Sequence, residues 1–489
     1  MRTQYPSLTK LSQARNGSIW RWAAAYLICL LPWIGQADSG SYSIAKIAQL
    51  GTAAPNGGDH INDFEPGAIN NRGDVIYGTD LGTSSDPSTF FGEGVFLQRG
   101  GEESELARGG GAAPGGGVFD FLLLGQTVLN DQGDGAFAFT LSPFSLPVGV
   151  NSGVYRYSHI TQEVTPVLVA GSTPAPGGGT FLGAFFNTSL NNQGALIFPA
   201  LIATANGIHI AGEAYTGVGM GVFQADTQNH IASIASPGDA APGGGTFDCA
   251  GNGGLWNNAS GDVVFTAHVA GEEVQVEGAP PQSVIITALD SLYLKRAATG
   301  TTVSLVHAGD PAPGGGVFRA AFAPVMNARG DVVFTGDLTP APHNSLIEGI
   351  FLRSGNTTVA VARPGDAMPG GGTFVTGSVL SAQQTHLNNL GEVAFNASLT
   401  DINGDGGGDT GLFVWSKGSV QLVAHTGTVI PGVGTIAQLV MGVITIPPPA
   451  VLTSNSGAIN NDRGQVLFGA TLTDGSGVLL VATPAPAQK

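Results

Sequence analysis

Cationic side chains are scarce in this chain. Eighteen Lys and Arg stand against 35 Asp and Glu in 489 residues, a formal net charge of −17. A chain this anionic repels phosphate backbones and anionic lipid surfaces, and no basic cluster overrides the balance, so nucleic acid is excluded as a partner. Cysteine is nearly missing: only Cys29 and Cys249 occur. Cys29 lies in a segment expected to be removed, so no intrachain disulfide remains, and the fold must stand on packing or metal. Helical periodicity is lacking after residue 40, and no apolar run there is long enough to cross a membrane. Tryptophan (5) and tyrosine (8) are few beside 24 Phe. What remains is 42% hydrophobic residues with 76 Gly and 29 Pro, the composition of many short buried strands joined by small-residue turns.

The N-terminus reads as an export signal. Arg2, Lys10, Arg15 and Arg21 precede an apolar stretch over 22–34, and Gly35-Gln36-Ala37 offers small residues for cleavage. Residues 1–37 are thus expected to be a signal peptide and 38–489 the mature chain, secreted to the periplasm or the cell exterior. Insertion into a membrane after cleavage is not expected.

Two signatures each recur seven times. A Pro-Gly punctuation stands at Pro55, Pro114, Pro176, Pro242, Pro313, Pro369 and Pro431. Asn-x-x-Gly followed by a short apolar run stands at Asn70, Asn130, Asn191, Asn258, Asn327, Asn388 and Asn461. A long fixed period means a repeat architecture, with units starting near 53, 112, 174, 240, 311, 367 and 429. The fifth unit shows the grammar: strands are expected over 317–322, 331–338, 349–353 and 357–362, each rich in Val, Phe, Ile and Thr. In Asn-x-x-Gly the Asn side chain accepts a backbone N–H two residues on, and the Gly takes a positive φ. The triple glycines after each Pro read as crossings from one sheet to the next.

Four antiparallel strands per unit of about 60 residues predict a blade, and seven units predict an all-β, seven-bladed β-propeller. Residues 42–50 (YSIAKIAQL) look like a fourth strand with no unit of their own, whereas the seventh unit stops after its third strand, 477–481. Pairing the two completes the last blade and removes two sheet edges.

Asn191-Asn192-Gln193-Gly194-Ala195-Leu196-Ile197-Phe198 and the stretch from Asn388 to Phe395 (NNLGEVAF) resemble the NxxGxxAF repeat of bacterial exported proteins of the choice-of-anchor type. That resemblance covers the mature chain and implies a class and a destination, without an activity.

The sharpest local motif is Asp401-Ile402-Asn403-Gly404-Asp405-Gly406-Gly407-Gly408-Asp409. Oxygen donors at alternate positions wrap a hard cation. Asp401, Asn403, Asp405, the Gly407 carbonyl and Asp409 are the expected Ca²⁺ ligands, and the loop resembles the calcium loops of FG-GAP propeller repeats. The bland alternative is an acidic hairpin tip. The Gly-rich loops lack the Lys-Ser/Thr of a phosphate-binding loop. Asp239, Asp310 and Asp366 read as loop caps, and the histidines as polar strand-end or rim residues. Second-to-third-strand connections are long around 79–93, 203–220, 270–289 and 400–410, and repeat proteins gather such insertions on a binding face. The expectation is a non-catalytic exported propeller with structural calcium that binds an extracellular polysaccharide or surface protein. The alternatives are a polysaccharide lyase or hydrolase working at the channel mouth, and a passive envelope component. Carboxylates converging there with His, Tyr or Arg would mark the enzyme; a mouth of Gly, Asn and Thr would mark the binder.

Overall fold

The computed structural model describes residues 42–486 except 84–89, 143–150, 185–186, 205–207, 211–212, 216, 271–289, 340–347, 377–384, 401, 403–407, 440–442, 446–450 and 454–457. The expected export signal and most of the expected calcium loop lie outside the described residues.

Every unit begins from the same three constraints: a turn that glycine closes, a second strand with an aromatic residue at its third position, and a third strand that faces it. Blade 1 pairs Asp59–Ile69, Val75–Gly82, Phe90–Arg99 and Glu102–Arg108 in that order. The pattern repeats in blade 2 (118–169), blade 3 (183–235), blade 4 (247–306), blade 5 (317–362), blade 6 (374–425) and blade 7 (434–484). The fifth blade runs Val317–Met326, Val332–Thr339, Glu348–Ser354 and Thr357–Ala362, within a few residues of the expectation. The molecule is a seven-bladed β-propeller, and among the described residues there is no helix.

Closure follows the offset of the termini. Tyr42–Gln49 runs antiparallel to the last strand, with Ser43 opposite Thr483 and Gln49 opposite Val478. The first strand of the chain is therefore the outermost strand of blade 7.

The aromatic residue that ends the Asn-x-x-Gly run builds the core. Tyr77 lies opposite Phe96, Phe137 opposite Tyr155, Phe198 opposite Phe223, Phe265 opposite Tyr293, Phe334 opposite Phe351 and Phe395 opposite Phe413. Each pair is stacked, with ring centroids 5.5 to 6.3 Å apart. A Phe from the first strand (Phe119, Phe181, Phe247, Phe318) meets the third-strand ring edge-on. Such offset and edge-to-face contacts add ~0.5–1.5 kcal/mol each beyond burial. In blade 1 the residue at the equivalent place is His60, buried against Phe96, so this histidine belongs to the core and not to the rim.

The triple glycines are conformational. Gly115, Gly116 and Gly117 take φ of 88°, 115° and 89°, and the loop folds back so that Ala112 pairs with Val118. A Cβ on Gly116 or Gly244 would meet open space, so the left-handed backbone, and not close packing, demands glycine there. Blade 1 fills the first of these places with Asn56 at φ 63°, the residue that best tolerates this region. Asp239, Asp310 and Asp366 cap these loops, accepting the N–H of Ser236, His307 and Arg363 at 2.8 Å.

The first strand is broken or bulged midway in all seven blades, between Phe322 and Val325 in blade 5 for example. Two hairpins depart from the simple grammar: Ile208–Ile210 with Glu213–Tyr215 in blade 3, and Val443–Thr445 with Val451–Thr453 in blade 7.

Candidate functional site

First strands from all seven blades line a central channel. Antiparallel alternation puts the Asn-x-x-Gly turns at one end and the second-to-third connections, with the Pro-Gly loops, at the other.

At the turn end each Asn side chain does two jobs. Its oxygen closes the turn: Asn70 Oδ1 accepts the N–H of Arg72 and of Asp74, at 3.0 and 2.9 Å, and Gly73 takes φ 90°. Its amide then donates to the main-chain carbonyl of the next turn. Asn70 donates to Asn130, Asn130 to Asn191, Asn191 to Asn258, Asn327 to Asn388, Asn388 to Asn461, and Asn461 back to Asn70, at 2.8 to 3.4 Å. One link differs: Asn258 Nδ2 points to Met326 Sδ at 3.9 Å. Aspartate would close the turn as well, but only asparagine also donates.

A second ring runs outside the first, through the residue after each Asn. Asp131 Oδ1 accepts the Asn71 N–H, Asn192 Oδ1 that of Asp131, Asn389 Oδ1 that of Ala328, Asp462 Oδ1 that of Asn389, and Asn71 Oδ1 that of Asp462, all at 2.7 or 2.8 Å. Blades 4 and 5 carry Ala259 and Ala328 here, which have no side-chain oxygen. The outer ring is therefore interrupted on both sides of blade 4, and the inner ring between blades 4 and 5 alone.

Beneath the turns lies a cavity of about 200 Å³ walled by all seven blades. Its wall carries mainly amides and hydroxyls, together with the carboxylates of Asp131 and Asp462 and the imidazole of His386. Trp256 of blade 4 reaches His386 of blade 6, edge-on at 5.3 Å, so these rings meet across the axis. His386 Nδ1 is 2.9 Å from Asn460 Oδ1. Burial holds the imidazole pKa below its ordinary value, leaving it neutral. Among the described residues the buried hydroxyls of Thr188 and Thr385 have no protein partner.

The opposite end carries the buried carboxyls whose pKa values are raised. The residue three places before the third-strand aromatic ring reaches the first strand of the next blade. Glu93 accepts the Leu122 N–H, Ser152 Oγ that of Ala184 at 2.7 Å, and Thr410 Oγ1 that of Leu439 at 2.8 Å. Glu348 accepts from the Thr376 hydroxyl at 3.1 Å, while the Asp290 carbonyl takes the Ala321 N–H at 2.8 Å. Glu348 faces Asp337 across the strands, and Arg319 pairs with Asp337, Nε to Oδ2 at 2.6 Å. Burial pushes the Glu348 and Asp290 carboxyls up to about 7 and raises Asp337 too, against the pull of Arg319. His268 lies 2.7 Å from Asp248. Cys249 is buried, and burial pushes its thiol well above the ordinary range, so it is no thiolate nucleophile.

Of the expected calcium ligands, Asp401, Asn403, Asp405 and Gly407 lie outside the described residues. Asp409 opens the third strand of blade 6, buried, and accepts the Ile402 N–H. Among the described residues no cluster of three or more His, Cys, Asp or Glu could hold a metal ion, and no helix is long and apolar enough to cross a membrane. Sequence reasoning missed the two rings, although their signal was there: seven copies of Asn with never an Asp in its place.

Residues 32–488 match the family model described as "Family of unknown function (DUF7453)". No curated protein matches the chain. Among solved structures it is similar to the β-propeller domain of the Trilobed protease from Pyrococcus furiosus, at 9% identity over 87% of this chain and 99% of that one, TM-score 0.46. It is similar also to the acylaminoacyl peptidase of Pyrococcus horikoshii, at 10% identity over 84% of this chain and 49% of that one, TM-score 0.43. The GH74 xyloglucanase of Xanthomonas campestris is likewise similar, at 12% identity over 88% and 54%, TM-score 0.40.

Proposed function

The chain belongs to this family of unknown function, and from its own geometry we propose an exported, non-catalytic propeller that binds an extracellular polysaccharide or surface protein. One observation carries the reading. The acids that could mark a catalytic mouth, Glu93 and Glu348, occupy the same place as Ser152 and Thr410 and do the same work, latching one blade to the next. Asp290, Asp337 and Glu348 are buried, and none is more than 7% exposed. A hydrolase needs carboxyl groups that its polymer can reach. The second-to-third connections supply the variation instead, and blade 3 adds a hairpin of its own there. A calcium ion in the 401–409 loop belongs to the same reading as a structural support.

The test is a glycan and surface-protein screen of the mature chain, with and without calcium. Saturable binding with no new reducing ends and no unsaturated sugar products is expected. Turnover abolished by Glu348→Gln would replace the binder with the enzyme. Calcium titration of the wild type against Asp405→Ala isolates the ion: a tenfold or greater loss of affinity in the variant is expected, and equal affinities would remove the site.

A further inference from the structure

Seven-fold repetition makes exceptions informative. In the outer ring, five turn N–H groups are each met by the Asn or Asp oxygen of the next blade. The two remaining are those of Asn192 and Ala259, because the next positions are Ala259 and Ala328. Among the described residues no protein atom accepts from either. Asn192 and Ala328 are exposed and Ala259 half-exposed, so the opening faces solvent. The inner ring changes at the second of these two junctions, where Asn258 faces the Met326 sulfur in place of a carbonyl.

We propose that this opening between blades 3 and 5 is a docking site for an asparagine residue presented by a partner protein. An asparagine brings two acceptors, its side-chain and main-chain oxygens, for the two N–H groups. The ring itself shows the fit, since the Oδ1 atoms of Asn71, Asn192 and Asn389 hold the equivalent N–H groups at 2.7 or 2.8 Å. Charge selects asparagine over aspartate. Asp131 and Asp462 already stand in the ring, and the chain carries −17. The nearby cations are engaged: Arg296 pairs with Asp262 at 3.0 Å and Arg329 with Asp331 at 2.9 Å. A neutral amide adds acceptors without adding an unpaired anion. This site lies at the opposite end of the channel from the variable connections and stands independently of what those bind.

The experiment follows backbone amide shifts of the ¹⁵N-labelled full chain during titration with acetyl-Gly-Asn-Gly-amide. Acetyl-Gly-Ala-Gly-amide and N-acetylglucosamine serve as comparison probes. Saturable shifts at Asn192 and Ala259 are expected, with affinity for the Asn peptide at least tenfold above that for the Ala peptide. They disappear in the Ala259→Asn, Ala328→Asn double variant, whose own side chains fill the opening. Should that variant misfold, Ala259→Asn alone decides, losing the shift at Asn192. Four results would overturn the proposal: no shift at either amide, equal affinity for the two peptides, stronger shifts from N-acetylglucosamine, or shifts that survive in the filled variant.

Discussion

The two ends of the channel solve the same problem, tying seven blades into one ring, with different chemistry. At the turn end the inner ties are neutral: an Asn amide on a carbonyl, repeated in six of seven blades. At the other end the tie is made by whatever oxygen the third strand offers, Glu in blades 1 and 5, Ser in blade 2 and Thr in blade 6. A carboxylate that can be exchanged for a hydroxyl at an equivalent position is a fastener. The reverse lesson comes from the turn end, where nearly everything repeats and the break between blades 4 and 5 marks the specific place.

The largest effect should come from removing the tie that both ends presuppose. A chain beginning at Gly51 loses the pairing of Tyr42–Gln49 with the last strand. Seven or so ladder hydrogen bonds at about 1 kcal/mol each amount to a loss on the order of 7 kcal/mol, with an open, aggregation-prone edge. Urea denaturation and light scattering read it, and a monomer of unchanged stability would show that the ring closes elsewhere.

Next comes Asn461→Asp. The turn is kept, but the donor to the Asn70 carbonyl is replaced by a buried oxygen facing an oxygen. About 2–3 kcal/mol should be lost, whereas Asp474→Asn, in an exposed turn, should leave the denaturation midpoint nearly unchanged. Equal losses would mean that the inner ring contributes nothing beyond the turn.

Acidity separates the ends. The folded Asp290 and Glu348 carboxyls keep their protons to about pH 7, whereas in the unfolded chain they release them near pH 4. Between those values the folded state binds more protons, so their contribution weakens as pH rises and recovers on acidification. About 2 kcal/mol per group should be lost from pH 5 to pH 8, and Asp290→Asn with Glu348→Gln should flatten that slope. Ala259→Asn at the turn end, which adds no titratable group, should leave the slope untouched. A wild-type slope that survives both substitutions would contradict the assignment.

The smallest effect is a gain. Ala259→Asn gives the Asn192 N–H an acceptor and should stabilise the fold by about 0.5–1 kcal/mol, visible as a higher melting temperature. A destabilised variant would show that the opening is not shaped like the five closed positions.

Much of this is legible in the sequence alone. The spacing of Asn70 to Asn461 gives the number of blades, the orphan strand at 42–50 gives closure, and Gly73 and its counterparts give the turn. Asp239, Asp310 and Asp366 read correctly as caps because their partners lie three residues away. The misses are all non-local. Asn70 meets Asn130 sixty residues on, and Trp256 meets His386 across the axis, 130 positions away. No local period encodes such contacts. His60 was misread because a polar residue stands where other blades use Phe, and only the packing of Phe64, Tyr77 and Phe96 shows that the place is core.

The most direct test of repeated ties with one break is hydrogen exchange at the side-chain amides of Asn70, Asn130, Asn191, Asn258, Asn327, Asn388 and Asn461, resolved by selective asparagine labelling. Six slowly exchanging amides are expected, with that of Asn258 the fastest of the seven. Seven equal rates, or a fast amide anywhere but Asn258, would contradict both the closed ring and its single break.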